Sequence, residues 1–163
     1  MALAVFGLFG LGYWMVQLDY YSPYYTSAPD LHRSLGVIVG IALVLRLVWR
    51  LANTRPSDAE LSPFERAASK LAHWSFYALI FAITVSGYLI ATTDGRPVDI
   101  FGLLSLPSVV LDKSLTDTAG WIHRWLAYTV IGLAALHTTA ALKHHSLDHH
   151  DTLSRMWSGP PRS

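Results

Sequence analysis

The sequence predicts an all-α fold: an integral membrane, antiparallel four-helix bundle. Its 163 residues are 52% hydrophobic and only 14% charged, against roughly 25% charged in an average soluble domain. Four stretches are apolar over close to the ~20 residues that cross a bilayer core. Pro- and Gly-containing loops separate them and none alternates like a strand; backbone groups in hydrocarbon must be satisfied internally, which leaves helices. One domain is expected at this length, a bundle over 1–144 followed by a cytoplasmic tail over 145–163.

The first span, about 1–18, carries no charge from Met1 to Leu18. It resembles a secretory h-region but lacks a basic n-region and a small-residue cleavage site, so it is expected to stay. A Tyr- and Pro-containing loop (19–30) leads to the second span, 31–52, apolar except for Arg33, Arg46 and Arg50. Charges at such depth require partners. A charged loop (53–69) precedes the third span, 71–93, which has no charge. The longer connection, 94–121, contains the apolar stretch Ile100 to Leu111, expected to lie along the membrane interface. The fourth span covers about 122–143. Gly36 and Gly40 form a GxxxG that reads as close helix packing, and Trp14, Trp49, Trp74, Trp121 and Trp125 near the span ends read as interface belt.

Lys plus Arg is 12 and Asp plus Glu 11, so no charge excess draws the chain to nucleic acid or acidic lipid; the lipid bilayer itself is the expected surrounding. Arg46, Arg50, Arg55, Arg66, Lys70, Lys143, Arg155 and Arg162 fall on one side of the spans, against Arg33, Arg96, Lys113 and Arg124 on the other. The more basic side is cytoplasmic, which places both termini there. The absence of Cys excludes disulfides, thiolate zinc, iron-sulfur clusters, thiol nucleophiles and covalent c-type haem attachment. A metal must be held by nitrogen or oxygen, and eight His are the candidates.

His123 and His137 on the fourth helix are fourteen positions apart. At about 100° and ~1.5 Å per residue they share a face and lie ~21 Å apart along the axis. His32, at the start of the second span, matches His123 in depth, and two imidazoles on facing helices suit an axially ligated haem iron. From His32 the same spacing turns Arg46 and Arg50 toward the bundle near the level of His137, where haem propionates would be suitable anions. The plainer readings are helix-to-helix hydrogen bonding for each His and snorkelling for each Arg. Gly87 and Gly132 would give room to a flat macrocycle. His73 near the inner surface suits a quinone oxygen, a propionate or a simple polar contact closing the bundle. His144 shares the His137 face at the membrane edge, while His145, His149 and His150 read as solvated.

At these residues the chain resembles the prokaryotic cytochrome b561 family of four-helix, di-haem membrane proteins, related to cytochrome b subunits of hydrogenases and formate dehydrogenases. The matching segments are LHRSLGVIVGIALVLRLVWRL (31–51), LAHWSFYALIF (71–81) and WIHRWLAYTVIGLAALHTTAALKHH (121–145), and the likeness covers nearly the whole chain. It implies haem b bound by His pairs, electron exchange with a membrane quinone, and a bacterial inner-membrane location. The outer haem's ligands fall on His32 and His123. The inner haem takes His137 and a His from the start of the first helix, where this chain has MALAVFGLFGLGYWM. Two readings stand open: a start placed too far downstream, which the poor insertion signal of the first span favours, or one intact bis-His haem, the inner site being five-coordinate, empty or completed by His73.

The function expected from this resemblance is transmembrane electron transfer to or from quinone, with superoxide an outer donor drawn by Arg33, Arg124 and Lys113. One rival is a haem-bearing anchor subunit serving a redox partner protein. The other is a non-haem di-iron enzyme, suggested by His144, His145, His149 and His150, although such enzymes need several His clusters.

Overall fold

The computed structural model describes residues 1–53 and 62–146, with side chains up to Lys143. Arg55 and the tail carrying His149, His150, Arg155 and Arg162 lie outside the described residues, as do the side chains of His144 and His145. The chain forms α1 (Ala2–Met15), α2 (Ser27–Ala52), α3 (Pro63–Thr92), β1 (Val98–Ile100), β2 (Leu104–Leu106) and α4 (Lys113–Ser146). Three of these helices, α2, α3 and α4, are long and apolar enough to cross a membrane.

The long helices begin before the apolar runs that announce them. Helix α2 starts at Ser27 because Pro29 falls in the first turn, where its missing N–H is no loss; Asp30 in the first turn and Arg50 in the last complement the helix dipole. Helix α3 starts at Pro63 behind a capping box: Ser62 Oγ accepts from Glu65 N, and the Glu65 carboxylate accepts from Ser62 N at 2.9 Å. Asp112 does the same for α4, its Oδ1 accepting from Leu115 N at 3.0 Å and from Ser114 Oγ at 2.7 Å. Hydropathy marks where hydrocarbon begins. Caps mark where the helix begins.

Helix α1 has 14 residues, which is ~21 Å of helix against a hydrocarbon core of ~30 Å. It is therefore shorter than the span expected over 1–18. It stops at Met15, where the N–H groups of Gln17 and Leu18 turn back to the Trp14 and Met15 carbonyls and Gln17 Nε2 donates to Tyr13 O at 2.8 Å. Val39, Leu43 and Ile80 form a small core, against which Met1, Val5, Leu8 and Tyr77 pack. Helix α1 packs on α2, α2 on α3 and α3 on α4. Gly40 permits the α2–α3 approach: a Cβ there would lie 2.6 Å from Thr84 Cγ2. Gly36, its partner in the GxxxG, meets nothing within 4 Å and borders a cavity instead. Large apolar side chains such as Leu45, Trp49 and Leu136 stay on the outside, as lipid-facing positions do.

The stretch expected along the interface contains part of a hairpin. Strands β1 and β2 pair antiparallel, Val98 with Leu106 and Ile100 with Leu104. Phe101 (φ 52) and Gly102 (φ 72) make the left-handed turn between them, closed by Leu103 N donating to Ile100 O and Gly102 N donating to Asp99 Oδ2. Pairing satisfies backbone groups that a loose segment would leave to water. Side chains from the helices tie this hairpin and the residues after it down: Ser34 Oγ donates to Asp99 O at 3.0 Å, Thr92 Oγ1 to Val109 O at 3.3 Å, and the Tyr88 hydroxyl to Pro107 O. Ser34 and Thr92 are both buried.

Candidate functional site

His32 of α2 and His123 of α4 face each other with ring centroids 6.2 Å apart and planes at 73°. Both lie deeper in their helices than the apolar runs suggest, since α2 and α4 begin earlier. His123 is held from behind by α3. Its Nδ1 is 3.0 Å from Ile83 O and 3.1 Å from Ser86 Oγ, and the Ser86 hydroxyl donates to the same carbonyl at 3.0 Å. With the proton on Nδ1 donated to Ile83 O, Nε2 keeps a free lone pair; a backbone carbonyl fixes the tautomer of a metal-ligating His in this way. His32 Nδ1 is buried and has no hydrogen-bond partner among the described residues.

Each ring rests on a glycine. A Cβ at Gly87 would come within 2.9 Å of His123 Cε1, and one at Gly12 within 3.0 Å of His32 Cε1. Ile83 stands one helical turn before Gly87, and Leu8, whose carbonyl approaches His32, stands one turn before Gly12. A glycine at the following turn removes the side chain that would screen such a carbonyl. Both rings thus rest on a glycine of a neighbouring helix, while the hydrogen bond from a ring Nδ1 to the carbonyl one turn back is made at His123.

Two cavities border both rings. The larger, 640 Å³, lies toward α1 and α4 and reaches Tyr13, Asp117, Trp121 and Arg124. The smaller, 190 Å³, lies toward α2 and α3, bordered by Arg33, Tyr88 and Val98 of the hairpin. Their walls are chiefly apolar, as cofactor sites are. A metal–nitrogen bond of ~2.0 Å on each side plus ~1.1 Å from nitrogen to ring centre sets two axial imidazoles about 6 Å apart. The His32–His123 spacing, the partnerless His32 nitrogen and the two glycine seats fit a haem held by this pair.

Toward the other end, His137 of α4 lies beside His73 of α3, ring centroids 5.2 Å apart, and beside Phe76 at 5.7 Å. One turn along α3, the Arg50 guanidinium sits 5.8 Å from the Trp74 ring centre and 5.2 Å from that of Tyr77. Arg50 Nε is buried without a hydrogen-bond partner among the described residues. Arg46 is exposed, though it too approaches the Tyr77 hydroxyl. Both arginines thus reach Tyr77 of α3, and Arg50 is the less exposed of the two. Gly132, expected to make room for a macrocycle, meets nothing within 4 Å, whereas Gly87 makes room for an imidazole. Among the described residues no three His, Asp or Glu converge to hold a metal ion.

Sequence reasoning found the His and missed what seats them. Gly12, Ser86 and the Ile83 carbonyl carry no motif, and only a turn-spaced Gly on a helix facing each His hints at them.

Comparison with known proteins gives these features a context. The family model for prokaryotic cytochrome b561 matches residues 1–159. The chain is 44% identical over 157 residues to cytochrome b561 homolog 2 of Escherichia coli K12, covering 95% of this chain and 84% of the relative. It is 32% identical over 130 residues to the probable superoxide oxidase CybB of Yersinia pestis, covering 77% and 72%. Cytochrome b561 homolog 1 of E. coli K12 is 26% identical over 133 residues, 81% of this chain and 76% of that one. The match over nearly the whole length, on a helical chain that seats paired His between apolar helices, shows that the protein belongs to the prokaryotic cytochrome b561 family of membrane electron-transfer proteins.

Proposed function

We propose that the protein is an antiparallel four-helix bundle of the bacterial inner membrane, both termini cytoplasmic, that passes electrons between an outer donor and membrane quinone. The observation that carries this reading is the His32–His123 pair, two rings 6.2 Å apart on facing helices, each seated on a glycine. In this reading His32 and His123 hold a b-type haem toward the outer side and His137 a second toward the inner side. When bound, such haems would supply one-electron exchange, and a haem held by both His32 and His123 would have no coordination position left for oxygen.

The chain's own residues do the rest. Ile83 O and Ser86 keep the His123 proton on Nδ1 and aim Nε2 at the iron position. Val39, Ile80 and Val130 line the larger cavity and keep water from it. Arg50, its Nε without a partner, is placed to neutralise an anion, a propionate or a reduced quinone, near His137. His73 is the imidazole nearest His137 in α3 and the candidate to complete the inner site, at a spacing about 1 Å below that of two axial rings. Dithionite-reduced-minus-oxidised spectra of membranes carrying the protein test this. A split b-type alpha band is expected, with the outer component lost in His123→Ala. A colourless protein, or unchanged haem in that variant, refutes it.

A second reading concerns the donor. The Yersinia relative is named a probable superoxide oxidase, and Arg33, Lys113 and Arg124 lie in the N-terminal halves of α2 and α4, the outer halves in this reading, where they would draw a small anion. Each superoxide gives one electron and leaves as dioxygen; two electrons and two protons convert quinone to quinol. Quinol formation by the isolated protein on adding superoxide supports this donor. Its dependence on an added dehydrogenase points instead to an anchor subunit.

A further inference from the structure

The two cavities that flank His32 and His123 are similarly open but differently bordered. Val98 of the hairpin borders the smaller, and Ser34, Tyr88 and Thr92 fasten the hairpin and the following residues to α2 and α3. No residue of the connection between α3 and α4 up to Asp112 borders the larger cavity, whose outer end is made by Thr116, Asp117, Trp121 and Arg124. Each cavity also has one arginine. Arg33, beside the smaller, is paired with Asp30 at 3.2 Å. Arg124, beside the larger, forms no ion pair among the described residues.

A porphyrin is an amphiphile, apolar on most of its rim and dianionic on the edge that bears the propionates. That edge belongs where no hairpin residue borders the cavity and a guanidinium has no ion-pair partner among the described residues, because an anion in a low-dielectric site needs a cation or water. Resting on the reading that His32 and His123 hold a haem, we propose that the propionate edge of that haem points out between α1 and α4 and that Arg124, rather than Arg33, is its positioning cation. Asp117 stands at the same mouth, one face-repeat before Arg124 on α4. Its carboxylate adds to the negative charge that Arg124 must offset there, so replacing Arg124 with a neutral residue leaves the propionates and Asp117 facing one another without a cation.

The sign of the effect follows from charge. Oxidation of the iron adds one positive charge; removing a nearby cation favours the oxidised form, so the midpoint potential falls. The full chain is purified in detergent as wild type, Arg124→Gln, Arg124→Lys and Arg33→Gln. Haem per chain is measured by pyridine haemochrome, low-spin bis-His character by electron paramagnetic resonance, and potential by redox titration of the component that His123→Ala removes. In Arg124→Gln the reduced-to-oxidised ratio at the wild-type midpoint is expected to fall three- to tenfold, tenfold being ~59 mV for a one-electron couple. Arg124→Lys and Arg33→Gln are expected to stay within twofold. An unchanged ratio in Arg124→Gln, or an equal fall in Arg33→Gln, overturns the proposal. Should Arg124→Gln lose haem, retention in Arg124→Lys at near-wild-type potential supports it and loss in both overturns it. Failure of the underlying reading shows differently: no bis-His signal in the wild type, or no component lost in His123→Ala.

Discussion

Replacing Gly87 with alanine puts the seating of His123 under direct test. The added Cβ would stand 2.9 Å from His123 Cε1 and 3.2 Å from Nδ1, where ordinary contact begins at 3.4 Å. The ring must retreat by about 0.5 Å, which stretches its 3.0 Å bond to Ile83 O toward the limit for a hydrogen bond. Losing that bond costs about 1 kcal/mol, and overpacking a fitted site costs about 1–3 kcal/mol more. At ~1.4 kcal/mol per factor of ten, haem affinity at the outer position should fall roughly 30- to 700-fold. The helix itself should not suffer, since alanine is the better helix former by about 1 kcal/mol. Titrating haem into the purified apoprotein and counting bis-His haem by electron paramagnetic resonance measures this, with circular dichroism as the folding control. Undiminished outer haem with an unchanged low-spin signal in a folded variant would refute the argument.

Four further outcomes are expected. Gly12→Ala crowds His32 to 3.0 Å, but His32 Nδ1 has no hydrogen-bond partner among the described residues to lose, so the overpacking term of about 1–3 kcal/mol dominates and the same titration should show a smaller loss than in Gly87→Ala. Ser34→Ala removes the bond to Asp99 O, worth about 0.5–1.5 kcal/mol, and amide exchange across 98–106 should quicken about 2- to 10-fold; unchanged protection would mean the hairpin is held elsewhere. The Asp112 carboxyl is held below its usual range, first by Ser114 and then by the Leu115 N–H. A depressed folded value gives a capping contribution that is complete above the ordinary carboxylate range and lost as pH falls through the folded value; the protection of first-turn amides of α4, taken against the intrinsic rate at each pH, should therefore fall on acidification, and Asp112→Ala should abolish that fall. His137→Ala should remove the inner haem component and leave the outer one, as read from the alpha band.

The long helices were legible because three apolar runs exceed what a soluble core would use; His32 was matched to His123 because both open apolar runs, although the helices start earlier, so that His32 is the sixth residue of α2 and His123 the eleventh of α4. Helix starts were not, since Ser62 with Glu65 and Asp112 with Leu115 act outside the apolar runs. The hairpin was hidden in Ile100 to Leu111 because its apolar composition suits an interfacial segment equally; Asp99 and Gly102, whose contact closes the turn, were the available signal. The seats under the imidazoles were illegible for a different reason. A backbone carbonyl such as that of Ile83 becomes a partner only when another helix brings a ring to it. Arg46 and Arg50 share a face by arithmetic, but only Arg50 finds aromatic rings to lie on.

The docking of α1 bears on one side of the histidine pair. That helix leans on α2 and meets α4 through Phe9 against Tyr128, ring centres 5.7 Å apart, while α3 is packed against both α2 and α4. Because Gly12 of α1 lies against His32, whereas His123 is backed by α3, a substitution that shifts α1 on its neighbours would be felt at one imidazole and not at the other.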